Sequence, residues 1–164
     1  MSRGRSFAPV VDAKTRVLIL GSLPGVKSLA AQQYYAHPQN GFWRLVGGLI
    51  GVELQALPYP DRLAALRADR IGLWDVIDEA TRPGSLDAAI RDHRPNDLIA
   101  LIETLPDLRA VGFNGATAAR LGRKSLAGLA RDLTLIDLPS SSPAYTLPLA
   151  RKAEAWAVLG LHLR

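Results

Sequence analysis

Four short apolar runs, each with Val, Ile or Thr among its residues, constrain this chain most: Arg16-Val17-Leu18-Ile19-Leu20, Ile71-Gly72-Leu73-Trp74-Asp75-Val76, Leu108-Arg109-Ala110-Val111-Gly112-Phe113 and Leu133-Thr134-Leu135-Ile136-Asp137-Leu138. None alternates cleanly between apolar and polar residues. A strand with one wet face must alternate, so these runs predict strands buried on both faces, as in a parallel sheet. Helical patterns lie between them. Phe42, Leu45, Val46 and Leu49 share one face over residues 41–50. Shorter patterns follow near residues 61–68, after a Ser85 cap, from Asn96 to Leu105, over 116–121 and over 148–161. Strands alternating with helices predict an α/β fold: a three-layer α/β/α sandwich around a central four-stranded parallel sheet.

With 164 residues the chain has room for one core, so residues 1–164 are expected to form a single domain, with residues 1–15 as a basic amino-terminal arm. Apolar residues are 48% and charged residues 21% of the chain, the balance of a globular protein. No apolar run is long enough to span a bilayer, and no signal-peptide core follows the basic start, so no membrane association and a cytoplasmic location are expected. There are no cysteines, which excludes disulfides, thiolate nucleophiles and iron–sulfur clusters. Only His37, His93 and His162 are present, widely spaced, so neither a metal nor any other cofactor is expected.

The formal net charge is +5, with sixteen Arg and four Lys set against 15 Asp and Glu. The planar guanidinium suits bidentate phosphate contacts, and such a charge fits a nucleic-acid partner. A genome rich in G and C would also favour Arg codons, so charge alone leaves the partner open.

The unusual residues fall after the predicted strands. Gly21-Ser22-Leu23-Pro24-Gly25 follows the first, Asp75 ends the second, Asn114-Gly115 follows the third, and Pro139-Ser140-Ser141-Ser142-Pro143 follows the fourth. In an open parallel sheet all these segments share the carboxyl-end rim, where such folds bind ligands. Gly21–Gly25 lacks the Gly-Lys-Ser/Thr ending of a phosphate-binding P-loop and is not a dinucleotide fingerprint. The serine run is either a polar turn or a stiff grip on a DNA phosphate. The stretch Tyr34-Tyr35-Ala36-His37-Pro38-Gln39-Asn40-Gly41-Phe42-Trp43 crowds rings and amides at the entry to a helix. Phe42 and Trp43 also suit a core, Asn40 a helix cap, and His37 a structural hydrogen bond. Asn114 suits either loop support or a phosphate contact, and Tyr145 either a wedge in the base stack or packing.

In order and spacing, these segments, together with Ser6–Val11 and Gly84–Asp87, resemble the uracil-DNA glycosylase superfamily over nearly the whole chain. They are most similar to its hypoxanthine-DNA glycosylase branch, with kinship to the mismatch-specific uracil glycosylases. The resemblance implies metal-free hydrolysis of the N-glycosidic bond of a deaminated base flipped out of DNA; our reading adds that the enzyme acts as a monomer. Its first motif lies over Gly21–Gly25 and its second over Leu138–Ala144. By the resemblance, Phe42 stacks on the extruded base, and Asp75 stands where many members keep a base-reading asparagine. Asn40 matches an asparagine that the hypoxanthine branch uses in catalysis. Leu23 and Leu138 depart from the polar residues found there in other branches, which puts the uracil-specialist mechanism in doubt.

On this reading Asn40 and Asp75 are catalytic. Gly21, Ser22, Leu23, Pro24, Gly25, Phe42 and Trp74 form the base pocket. Ser140, Ser141, Ser142, Pro143, Tyr145, Asn114 and His37 serve phosphate contact or intercalation. The partner is DNA containing hypoxanthine or uracil. Two other readings compete: a damage-binding module without catalysis, suggested by Leu23 and Leu138, and a hydrolase of free nucleosides.

Overall fold

The structure is a computed structural model that describes residues 2–82, 85–87 and 90–164. The four apolar runs become β2 (Val17–Gly21), β3 (Ile71–Asp75), β6 (Ala110–Asn114) and β7 (Thr134–Leu138). They pair in parallel in the order β3-β2-β6-β7. The helices are α1 (Val26–Ala31), α2 (Phe42–Ile50), α3 (Tyr59–Ala68), α4 (Leu98–Glu103), α5 (Ala116–Ser125) and α6 (Leu149–Trp156), with 3-10 turns at Leu54–Ala56 and Ala157–His162.

The sandwich follows from β2, which is buried along its whole length. Val17 and Ile19 point into a core built with Phe42, Val46, Leu66 and Trp156 from α2, α3 and α6. Leu18 and Leu20 point into a second core with Leu98, Ile102 and Leu121 from α4 and α5. Alternate residues of one strand thus anchor two helical layers, which is why the sequence shows no polar alternation. Each large aliphatic side chain removed from water here contributes about 1.5–3 kcal/mol.

A second sheet was not legible in the sequence. β1 (Ser2–Arg5), β4 (Ile77–Arg82) and β5 (Arg91–Pro95) form an antiparallel sheet in the order β1-β4-β5. The basic amino-terminal residues 2–5 are therefore a strand, with Arg5 paired to Glu79 at 2.7 Å. Arg94 bridges Asp78 at 2.7 Å and Glu79 at 3.3 Å. The helix expected after Ser85 is not formed over 91–95, which is β5. Gly84, which opens the Gly84–Asp87 segment, lies outside the described residues. Ser85 does cap a helix, but a different one: its Oγ accepts the Val26 N–H of α1 at 2.8 Å. This sheet continues directly from β3. Val76 N–H donates to the Gly21 carbonyl at 2.8 Å, Ile77 N–H to that of Ser22 at 3.1 Å, and the Asn96 side-chain amide to that of Asp75 at 2.8 Å.

No helix among the described residues is long and apolar enough to cross a membrane.

Candidate active site

The last residues of the four parallel strands are Asp75, Gly21, Asn114 and Leu138, in spatial order across the sheet. Gly21 is in register with Asp75, and Asn114 with Leu138. All four line one cleft of about 910 Å³ at the carboxyl rim. The cleft also takes in Ser22–Gly25, Tyr35, His37 and Asn40, the segment Ser85–Asp87, and Pro139–Tyr145. Its size is ample for a nucleoside with adjoining phosphate.

One wall is built by close approach of backbone. A Cβ on Gly21 would stand 2.7 Å from Asp75 Oδ1 and 2.9 Å from the Tyr35 hydroxyl, so only glycine lets a carboxylate and a phenol converge there. Asp75 is buried. Tyr35 holds a left-handed backbone (φ 54°), which for a bulky residue stores about 1–3 kcal/mol. Its neighbours fix it: Ala36 N–H donates to Ser28 Oγ at 3.0 Å, and Trp43 Nε1–H to the Tyr35 carbonyl at 3.2 Å. Burial, reinforced by the Asp75 charge, pushes the Tyr35 phenol far above the usual tyrosine range, so it stays protonated and can donate.

The opposite wall, the serine loop, is held from behind through its carbonyls. Trp156 Nε1–H donates to Pro139 O at 2.9 Å, Gly41 N–H to Ser141 O at 2.9 Å, and Lys152 Nζ to Ser142 O at 3.0 Å. Asn114 clamps Ser141 twice: its Oδ1 accepts the Ser141 N–H at 2.8 Å and its Nδ2 donates to Ser141 Oγ at 2.9 Å. The turn from β6 into α5 passes under this loop at Gly115 (φ 100°), a backbone conformation that glycine adopts without strain. Ser140 Oγ accepts the Ser142 N–H at 3.1 Å, and Ser142 Oγ the Ala144 N–H at 3.2 Å.

Between the walls, Asn40 Oδ1 accepts the Phe42 N–H at 3.0 Å, satisfying one free donor at the start of α2. This bond fixes a carboxamide that lines the cleft. His37 Nδ1 accepts the Gln39 N–H at 3.1 Å, which fixes the ring at the cleft.

Two residues expected in the base pocket lie elsewhere. Phe42 is fully buried, with its ring stacked on Tyr35 at 4.0 Å and edge-on to Trp43 and Trp156. Tyr35 is the ring at the cleft, and Phe42 is the layer behind it. The ring of Trp74 is turned from the cleft, with its Nε1–H donating to the Phe7 carbonyl at 2.9 Å. The remaining candidates, Gly21–Gly25, Asn40, Asp75, His37, Asn114, Ser140–Pro143 and Tyr145, share the cleft. Sequence reasoning missed Tyr35 and Ser85–Asp87 as parts of it. Tyr35 stood in the crowded aromatic stretch, but nothing in the sequence separated the ring at the cleft from the one behind it.

An α/β protein with its ligand cleft at in-register strand ends defines the class. Within that class, the family model described as the uracil DNA glycosylase superfamily matches residues 8–160. The hypoxanthine DNA glycosylase of Methanosarcina acetivorans is 42% identical over 158 residues, covering 96% of this chain and 98% of that protein. The hypoxanthine DNA glycosylase of Methanosarcina barkeri is 48% identical over 111 residues, covering 68% of this chain and 70% of that one. A solution NMR structure of a Methanosarcina acetivorans protein, proposed to be a uracil DNA glycosylase, superposes with a TM-score of 0.87 at 41% identity, covering 99% of both chains. The chain belongs to the uracil-DNA glycosylase superfamily, and its class is that of a DNA glycosylase.

Proposed function

We propose that this chain hydrolyses the N-glycosidic bond of a deaminated base in DNA, hypoxanthine foremost and uracil as a second substrate, after the nucleotide has swung out of the stack. The observation that carries the reading is the convergence of Asp75, Tyr35, Asn40 and the serine loop on one cleft. The names of the two Methanosarcina relatives favour hypoxanthine.

Deamination turns the N1 acceptor of adenine into the N1–H donor of hypoxanthine, and the N3 acceptor of cytosine into the N3–H donor of uracil. The Asp75 carboxylate accepts from either deaminated base, whereas adenine or cytosine sets a lone pair against it. The adjacent protonated Tyr35 hydroxyl supplies a donor for the neighbouring base carbonyl, which in the parent base is an amino group. A mispaired buried carboxylate costs about 1–3 kcal/mol or more, roughly a hundredfold in rate at the upper end.

In the hydrolysis itself, water oxygen bonds to C1′ as the C1′–N bond breaks. The bonding pair leaves on the base, which takes up a proton, and the water's surplus proton passes to solvent. The sugar passes through an oxocarbenium-like state. Asn40 orients the water: the second lone pair of its capped oxygen accepts a water proton. Orientation supplies most of its effect, since an amide is a weak base. The N–H groups of Ser22 and Leu23 donate to the departing base. The serine loop holds a flanking phosphate and Tyr145, half-exposed on its rim, fills the vacated stack. The site works as a monomer with no metal or other cofactor in the reaction.

Duplexes carrying deoxyinosine, deoxyuridine or deoxyxanthosine opposite each partner base test this. Release of hypoxanthine at the highest single-turnover rate is expected, leaving an abasic site without strand cleavage. A mobility shift on damaged duplex with no base released would mark a binding module. Release from free deoxyinosine as fast as from DNA would mark a nucleoside hydrolase.

A further inference from the structure

Lys152 is a buried ammonium with no use in the chemistry above. The residue is 4% exposed, in the first turn of α6. Its Nζ donates to Ser142 O at 3.0 Å and lies 5.5 Å from the centre of the Tyr145 ring. Among the described residues no carboxylate pairs with it, and burial alone holds its pKa below the usual lysine range. Three physical terms therefore oppose a charge there: desolvation, the lack of a counter-charge, and the positive end of the α6 dipole. The hydrogen bond does not explain its presence either. Ser142 O also accepts the Tyr145 N–H at 3.1 Å, so the carbonyl is satisfied without the lysine.

A cation placed against the local field is poised for an anion that is bound only in the working complex. We infer that Lys152 supplies the positive charge of a phosphodiester subsite on the serine loop, acting from beneath Ser140–Tyr145. The chemistry of the cover agrees. Ser140 and Ser142 put hydroxyls on the loop, and Tyr145, whose ring Lys152 flanks, sits at the cleft rim. In the low dielectric under the loop one charge acts further than a surface lysine screened by salt. Lys152 is a positioning residue: it holds the DNA through the loop and touches neither base nor sugar. This inference rests on the glycosylase reading, because it names the anchor for the strand that the same cleft receives.

The test compares wild type, Lys152→Met and Lys152→Arg, with Lys124→Met as a control that removes an exposed charge from the far end of α5. Fluorescence anisotropy on a deoxyinosine duplex at several salt concentrations gives Kd and its salt slope. Lys152→Met is expected to bind about tenfold more weakly at moderate salt, with a log–log slope shallower by up to about one unit. Lys124→Met should change Kd less than about threefold, and Lys152→Arg should retain most of the affinity and slope. Melting separates charge from scaffolding. Removing an unpaired buried charge should leave the Tm of Lys152→Met unchanged or higher, while affinity falls. Weaker binding together with a lower Tm, or an unchanged Kd and slope, would overturn the inference. Either result leaves the glycosylase reading standing if wild type still releases hypoxanthine. Failure of wild type to release any base would instead overturn that reading.

Discussion

The two walls of the cleft are made by different physics. On the Gly21–Asp75 side a missing side chain lets backbone, carboxylate and phenol meet at one point. On the serine side a polar loop is made stiff by donors from three directions, Trp156, Gly41 and Asn114, with the Lys152 charge lying beneath it. The first wall tolerates no added atom. The second depends on contacts that can be deleted one at a time. On the proposed function, discrimination of the base falls to steric and hydrogen-bond fit at Gly21, and grip on the strand to a braced loop.

The largest effect should come from adding one methyl group to the first wall. Gly21→Ala places a carbon 2.7 Å from Asp75 Oδ1, backed by a fully buried strand. Displacing the carboxylate by about an ångström should slow excision of hypoxanthine at least about a hundredfold. Single-turnover kinetics with a melting curve would show it, and an unchanged rate would erase the distinction between the walls. Asn40→Ala, between the two, should cut the single-turnover rate about a hundredfold with little change in DNA affinity. Loss of the Asn40 Oδ1 bond to the Phe42 N–H at the start of α2 should add a stability decrease of about 1 kcal/mol. A fall in affinity with an intact rate would move water positioning elsewhere, first to Asp75.

Asp75→Ala approaches the same wall from the specificity side. It should lower the preference for deoxyinosine over deoxyadenosine by up to about a hundredfold, read as the ratio of the two excision rates. Full activity with full rejection of adenine would remove Asp75 from base reading. Asn114→Ala attacks the second wall. It leaves the Ser141 N–H without its buried partner, a loss of about 1–3 kcal/mol. The expected readout is a Tm lower by several degrees and a several-fold weaker Kd, with the deoxyinosine preference retained. A changed preference would mean that the walls are not separable.

Legibility in the sequence followed the same physical lines. β2, β3 and β6 were visible because burial on both faces requires apolar runs such as Val17–Leu20; β7, at the sheet edge, departs from that expectation, with Thr134 and Asp137 exposed and only Leu138 buried. The rim loops were visible because Gly, Pro, Asn and Ser mark turns at strand ends. β1, β4 and β5 were not, because Arg3, Arg5, Asp78, Glu79, Arg91 and Arg94 leave no apolar period to read. Ser85 looked like the cap of the helix after it because a capping side chain does not announce which N–H it will accept; its partner is Val26, far back in the chain. Phe42 and Tyr35 could not be ranked from the sequence, since which of two stacked rings faces the cleft depends on the left-handed turn at Tyr35. Trp74 is next to Asp75 in the chain, but alternation along β3 turns neighbours to opposite faces. Lys152 gave no sequence signal, because its burial arises from the packing of α6 beneath the serine loop.

The most direct measurement is a crystal structure of the protein on a duplex carrying 2′-fluoro-deoxyinosine, which resists cleavage. Hypoxanthine is expected turned out of the helix and seated over Gly21, with N1–H on Asp75, C1′ beside Asn40 and a flanking phosphate on Ser140–Ser142. A base still stacked in the duplex, or one bound away from that strand-end cleft, would contradict this.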